Sequence, residues 1–275
     1  LESIGAQVVY GVVGLKTHAK MLLVTRREGQ RLRRYGHLST GNYNPRTARL
    51  YTDLSMLTAN EHLTAEMDDV FRHLASQSKL PKLRALWVAP FFLHKRLIEK
   101  IDEAGLAAAR GEGGRIVAKM NALTDDALMR ALVRAGQRGA KIDLIVRGAC
   151  MLPAQVAGVT DNIRVRSIIG RFLEHSRVFY FCCGDHEDLY LSSADWMNRN
   201  MLRRVELAWP VTDPVLRQRI IDECLTGYLC DDRDAWILGA DGTYRPAASA
   251  PGQGTGVQDA LMARYRAPGP AVLVV

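Results

Sequence analysis

Gly14-Leu15-Lys16-Thr17-His18-Ala19-Lys20-Met21-Leu22-Leu23-Val24 reads as a strand that carries a histidine and a lysine two residues apart and then runs into an apolar anchor, Met21 to Val24. Residues i and i+2 of a strand point to the same face. His18 and Lys20 are therefore expected to form one cationic, nucleophile-capable pair. Further on, Ser39-Thr40-Gly41-Asn42-Tyr43-Asn44 is a small polar turn. The same unit recurs. His175-Ser176-Arg177-Val178-Phe179-Tyr180-Phe181 is again a histidine, a small residue, a cation and an apolar strand. Ser192-Ser193-Ala194-Asp195-Trp196 repeats the turn as two hydroxyl residues, a small residue, Asn or Asp, and an aromatic. The interval from histidine to turn differs by a hairpin-sized insertion. A paired match of this kind carries far more weight than a lone H-x-K.

The totals permit one large domain or two ordinary ones: 275 residues, 48% hydrophobic and 24% charged. No apolar run is long enough to span a membrane. Leu1-Glu2-Ser3-Ile4 has neither the charged nor the apolar region of a signal peptide and reads as the interior of a longer protein. The net charge is +8, and between Lys16 and Arg49 nine Lys/Arg stand against one acidic residue, Glu28. That balance suits an anionic partner without choosing among nucleic acid, nucleotide, polyphosphate and membrane. Part of it, at Arg31, Arg33 and Arg34, also reads as a solvated face. Cys150, Cys182, Cys183, Cys224 and Cys230 lack metal-ligand spacing, and their odd number fits a reducing cytosol.

Along the chain, strands are expected over 8–13, 20–25 and 32–38, with a hairpin turn at 26–30. A helix is expected over 58–77 with Thr64 as its cap. A second domain opens near Trp87. It holds an amphipathic helix over 93–110 with Leu97, Ile98, Ile101 and Leu106 on one face, a strand at 115–120, a helix from Thr124 as cap to about Arg138, and a strand at 141–148. Strand, helix and strand at this spacing make a βαβ unit, so a mixed or parallel sheet with helices on its faces follows. Further strands are read at 163–169, 175–181, 188–192 and 203–209, and a helix over 213–228. The stretch 246–270, rich in Ala, Gly, Pro and Gln, reads as a mobile tail.

The chemistry of the paired unit is that of phosphoryl groups. A phosphoryl group carries spread negative charge and needs positioning with electrostatic stabilisation. Imidazole can attack phosphorus and leave again, and a second histidine can move a proton. Lys20 and Arg177 are placed to neutralise oxygens, Arg with its fork. Ser/Thr/Asn turns supply donors, although Asn42 and Asp195 are equally ordinary turn formers. His37, His62, His73, His94 and His186 have no counterpart and read as structural or exposed. Asp53 and Glu174 are carboxylates near the site, with no metal assigned to them.

At these residues the chain resembles the phospholipase-D-like fold, whose two halves each contribute an H-x-K. It resembles more closely the C-terminal catalytic domains of the bacterial type-1 polyphosphate kinase family. The motifs are LKTHAK, STGNYNPRTARLYTD, KIDLIVRG, VRSIIGRFLEHSRV and YLSSADWMNRN, and the likeness covers roughly residues 1–245. It implies an α/β fold of two phospholipase-D-like domains (a mixed sheet flanked by helices), the first incomplete. The divisions are 1–85, 86–245 and a flexible tail at 246–275. It implies reversible transfer of the ATP γ-phosphate onto polyphosphate with Mg2+. The phosphohistidine maps onto His18, the ATP-contacting positions onto Tyr51, Arg147 and His175, and His175 is also the acid/base. Lys20, Arg177 and Asn42 complete the expected substrate contacts. ATP/ADP and polyphosphate are the expected partners, without specific nucleic acid. A homo-oligomer in the full-length enzyme and a cytoplasmic, peripherally membrane-associated location belong to the same expectation. The family's upstream domains, a nucleotide-contacting position and the metal ligands have no counterpart in this sequence. In the phosphodiesterase branch an Asp seven residues after each His orients the ring; Thr25 and Cys182 stand there instead, which speaks against a phospholipase or nuclease. That class and a non-catalytic polyanion-binding module are the rival readings. Tyr35, Tyr43 and Tyr51 among the arginines favour the second, but it leaves the repeat unexplained.

Overall fold

The structure, a computed structural model, describes residues 2–9, 11–76, 78–247, 254 and 256–266. Strand β1 is only Lys16–Thr17; after a break at 18–20 the chain resumes as β2 (Met21–Glu28), which turns at Gly29 into β3 (Arg31–Ser39). Gly29 has φ 61°, the left-handed conformation that a two-residue hairpin turn requires. Next come β4 (Tyr51–Thr52), β5 (Ser55–Thr58) and helix α1 (Glu61–Ser76). β2, β3 and β5 form an antiparallel three-stranded sheet. Met67 and Val70 of α1 are fully buried in one cluster with Leu38, and Leu23 packs against it.

The second part runs β6 (Trp87–Ala89), α2 (Leu93–Ala109), β7 (Gly114–Met120), α3 (Asp126–Gln137), β8 (Lys141–Val146) and β9 (Ile163–Ile168). It continues with β10 (Leu173–Glu174), β11 (Arg177–Cys183), β12 (His186–Ser192), α4 (Asn198–Leu202) and β13 (Arg204–Pro210). Helix α5 (Pro214–Ile220) passes through a π-helical turn, Ile221–Thr226, into α6 (Gly227–Leu229); β14 (Ala235–Leu238), β15 (Tyr244–Pro246) and α7 (Val257–Arg266) complete the order. The large sheet is ordered β1-β13-β12-β11-β7-β8-β9-β14-β15, with β6 also on β13. β7, β8 and β9 are parallel, β7 and β8 being joined through helix α3, and β11, β12, β13 and β14 pair antiparallel. Ile116, Ala118, Phe179 and Phe181 point into the core under α2 and α3, while Val117 and Val178 point into the other, which includes α1. The expected mixed sheet flanked by helices is thus the observed fold.

Several local expectations are corrected. The strand read at 8–13 is not formed among the described residues, because Gly11 lies at φ 92° and Val12 to Leu15 close a turn. The first hairpin is tighter than 26–30, since pairing runs out to Glu28 and Arg31. His18–Lys20 is not one continuous strand. It is a break in which the His18 and Ala19 N–H groups both donate to the Val205 carbonyl, each at 2.9 Å. Asn60, not Thr64, caps α1, its Oδ1 accepting from Leu63 N at 3.0 Å, and Thr64 bonds back to the Asn60 carbonyl. Asp125, not Thr124, caps α3, accepting from Leu128 N at 3.0 Å. Leu106 points outward, 46% exposed. The expected tail contains β15's last residue and α7, which is docked through buried Val257 and Gln258; residues 248–253, 255 and 267–275 of that stretch lie outside the described ones. All five cysteines are free. Among the described residues no helix is long and apolar enough to cross a membrane.

Candidate active site

The break after β1 turns His18 toward the other half of the molecule. Its Nδ1 lies 2.9 Å from Glu206 Oε2, and Lys20 Nζ lies 2.9 Å from its Nε2. A carboxylate only accepts and an ammonium only donates. The ring therefore carries its proton on Nδ1 and presents the Nε2 lone pair beside Lys20. Glu206, on β13, is fully buried and is held by the Ser193 hydroxyl and by Asn200 Nδ2 at 2.6 Å. Burial lowers the Lys20 ammonium to about 8, against the pull of Glu206.

His175 is built the same way from the opposite side. Its Nδ1 lies 2.8 Å from Asp53 Oδ1, and Arg177 Nη1, which donates to the His175 carbonyl at 2.7 Å, lies 3.3 and 3.2 Å from the ring's Nδ1 and Nε2. Asp53 in turn accepts from Thr40 Oγ1 at 2.8 Å. Burial lowers the His175 pKa; Asp53 opposes that, and the charges of Arg177 and Lys20 add to it. The supporting backbone corresponds as well. β1 runs parallel to β13 with Thr17 opposite Val205, and β10 runs parallel to β4 with Glu174 opposite Thr52. His18 N donates to Val205 O at 2.9 Å, and His175 N to Thr52 O at 3.2 Å. In the turns, Gly41 N and Ala194 N each donate at 3.0 Å to the first serine hydroxyl, Ser39 or Ser192. Thr40 Oγ1 and Ser193 Oγ each accept from the residue after the carboxylate, Leu54 N at 3.0 Å and Leu207 N at 3.1 Å. Each histidine thus belongs to one half and is gripped by a strand and a carboxylate of the other.

The remaining expected residues sit unequally. Arg177 is buried and forks onto Asp195, Nε to Oδ1 at 3.2 Å and Nη2 to Oδ2 at 3.0 Å. Burial would raise the Asp195 carboxyl, but the Arg177 charge and the N–H of Asn121 hold it low. Asn42, at the matching turn position, is exposed and its side chain makes no hydrogen bond among the described residues. The Tyr51 ring lies 4.9 Å from the His175 ring at 44°. Arg147 Nη1 donates to the Glu174 carbonyl at 2.7 Å. Among the described residues no three His, Cys, Asp or Glu side chains form a metal cluster. Asp53, Asp195 and Glu206 are each engaged by a histidine or an arginine. This donor set does not fit the expected Mg2+, and no step below runs through a metal.

A family model described as polyphosphate kinase C-terminal domain 2 matches residues 86–258, and one described as C-terminal domain 1 matches residues 1–80. The chain belongs to the polyphosphate kinase family. A polyphosphate kinase of Xylella fastidiosa (strain Temecula1 / ATCC 700964) is 52% identical over 245 residues, which are 89% of this chain and 35% of that protein. One from Paraburkholderia phytofirmans is 51% identical over 249 residues, 89% of this chain and 36% of that protein. The crystal structure of polyphosphate kinase from Porphyromonas gingivalis superimposes with a TM-score of 0.87 at 34% identity, over 96% of this chain and 41% of that one. The chain spans about a third of the length of these curated relatives.

Of the residues picked out in the sequence, His18, Lys20, His175, Arg177, Tyr51 and Arg147 stand in the connected arrangement described above; Asn42 stands on its turn without a bond into it. The absence of Asp at positions 25 and 182 does not leave the rings unoriented, because Asp53 and Glu206 arrive from across the interface. Asp53 was legible only as a nearby carboxylate, and Glu206 was missed. A signal existed: Asp53 follows Thr40 by 13 residues, as Glu206 follows Ser193 by 13.

Proposed function

We propose that the chain carries the phosphotransfer centre of a polyphosphate kinase, moving the terminal phosphoryl of ATP reversibly onto inorganic polyphosphate through a phosphohistidine at His18. The observation that carries this is the His18 ring, pinned at Nδ1 by Glu206 so that Nε2 faces Lys20. Nε2 attacks the γ-phosphorus, an N–P bond forms, and the P–O bond to the β-phosphate breaks to release ADP. The proton stays on Nδ1, where Glu206 offsets the positive charge the ring acquires. The terminal oxygen of a polyphosphate chain then attacks the same phosphorus, the N–P bond breaks and neutral His18 returns. Lys20 neutralises the non-bridging oxygens, while Arg177, forked onto Asp195, steadies the His175 side. His175, uncharged by burial, handles the proton of the entering or leaving oxygen. Tyr51 and Arg147 flank the His175 side and receive the nucleotide.

The test uses the complete enzyme that carries this sequence as its C-terminal part, incubated with γ-labelled ATP. Acid-labile, base-stable label is expected on the wild type and none on His18→Ala, with turnover reduced by roughly 10³-fold or more. Label undiminished in His18→Ala overturns the covalent route. Release of a diester product would favour the phosphodiesterase class, and salt-sensitive nucleic-acid binding without turnover would favour a binding module.

A further inference from the structure

Behind His175 lies a buried polar cluster that the transfer chemistry does not use. Glu174 Oε2 accepts from Lys119 Nζ at 2.8 Å and from Thr52 Oγ1 at 2.7 Å. Lys119 is 2% exposed, donates also to Ser176 Oγ at 2.5 Å and stands 4.5 Å from the centre of the Tyr228 ring. Burial alone would raise the Glu174 carboxyl; Lys119 and its hydrogen bonds hold it below the ordinary range. The last oxygen, Oε1, is closed by α7: Gln258 Nε2 donates to it at 2.5 Å. The same amide pairs with the backbone of Phe172, accepting from its N at 2.8 Å and donating to its O at 2.9 Å.

These bonds converge on the main chain that delivers the site. Glu174 lends its carbonyl to Arg147 and is followed by His175. Thr52 is the β4 residue on whose carbonyl His175 N rests, and it is followed by Asp53. Helix α7 seats Val257 in the core with Leu261 packed against it, and Val257 N donates to Asp231 Oδ2 at 2.7 Å. A cavity of about 530 Å3 lies beneath the helix, lined by Phe172, Ser176, Tyr228, Leu261 and Met262 among others. The buried amide is the direct tie between helix and strand. Leaving buried Glu174 Oε1 without its partner would carry the full desolvation cost of a buried polar group, and both Phe172 backbone groups would lose their partner with it.

We infer that Gln258 is a positioning residue for the His175–Arg147 side of the site: its amide closes the Glu174 cluster and fixes residues 172–175 in the register that sets His175 on Asp53 and Arg147 on the Glu174 carbonyl. This rests on the phosphotransfer reading above. Gln258 touches no substrate; it acts through the strand it holds.

The experiment compares Gln258→Asn, which keeps the amide but shortens its reach, with wild type and with Asp259→Ala, which removes only an ion pair to Arg233 on the exposed side of the same helix, all in the complete enzyme. Gln258→Met, of the same length, replaces Asn if that variant melts early. Three quantities are read: kcat and KM for ATP, the pH profile, and the NMR titration of the His175 ring. The groups facing that ring are Asp53, Arg177, Lys20 and Tyr51, and none is altered. For Gln258→Asn the expected result is a fall in kcat of roughly tenfold or more without loss of fold. The His175 titration and its limb of the pH profile should move up toward the ordinary histidine value as the ring loosens from its buried place. Asp259→Ala should match wild type. Unchanged kcat and an unchanged His175 titration in a folded Gln258→Asn overturn the inference, as does an equal loss in Asp259→Ala. The NMR titration needs no turnover, so it decides this point even if the wild type fails to transfer phosphate, a failure that would count against the functional reading instead.

Discussion

The His18 half and the His175 half share one frame and differ in charge. In both, a histidine leaves a short parallel strand, gives Nδ1 to a carboxylate of the other half, and has the cation two residues on beside its ring, Lys20 at Nε2 of His18 and Arg177 near both nitrogens of His175. On the second side Asp195 neutralises Arg177 with a two-pronged pair. On the first side the equivalent Asn42 offers nothing to Lys20, which is buried and lowered to about 8. A locked, neutralised cation steadies a ring. An unneutralised one stays available for an incoming phosphoryl oxygen. The repeat therefore explains the geometry, and the departures from it explain why the two histidines are assigned different work.

The strongest way to break this comparison is to remove each orienting carboxylate in turn. Glu206→Gln and Asp53→Asn keep size but lose the charge that fixes the tautomer, and each should lower turnover by roughly 10²–10⁴-fold. The two should then part. Glu206→Gln should slow formation of the His18 label in a single turnover, whereas Asp53→Asn should leave that label able to form and slow the later proton-dependent step. Identical behaviour would mean that the halves are functionally equivalent.

A smaller effect is expected from the turns. A Cβ on Gly41 would overlap the Asp53 carboxylate, whereas the second copy carries Ala194 without difficulty. Gly41→Ala should push Asp53 off His175 and cost roughly tenfold in kcat, while Ala194→Gly should cost only about 0.5–1 kcal/mol of stability; denaturant unfolding and steady-state rates read both. The smallest effect at neutral pH belongs to Lys20→Arg. Lys20 is charged below about pH 8 and loses its charge above it, so the wild-type rate should fall as pH rises through that value. Arginine stays charged, so the variant should lose this alkaline limb. A limb that persists would assign it to another group.

The βαβ order and the mixed sheet were legible because each rests on a local pattern, such as the buried, largely apolar run Ile116 to Met120, and the paired histidines because the His-x-cation unit repeats; Tyr51 and Arg147 were named only through the family resemblance. What escaped was set by pairing between distant segments. Nothing near His18 announces that its strand ends at Thr17 so that two N–H groups can share the Val205 carbonyl. Glu206 sits inside an apolar strand, Val205 to Trp209, and composition alone makes it look like an edge residue; only the crosswise pairing of β1 with β13 aims it at His18. Helix α7 was hidden by its Gly- and Pro-rich surroundings, and its docking rests on buried Val257 and Gln258 and on scattered polar ties rather than on a periodic apolar face.

The account turns on Glu206 occupying Nδ1 of His18 from across the interface. The direct test is NMR of the base-stable phosphoenzyme, with ³¹P and ¹⁵N-labelled histidine in the complete enzyme, to locate the phosphorylated nitrogen. The predicted result is a single N–P bond at Nε2 of His18, with Nδ1 still protonated. Phosphate on Nδ1 of His18, or on His175, would contradict it.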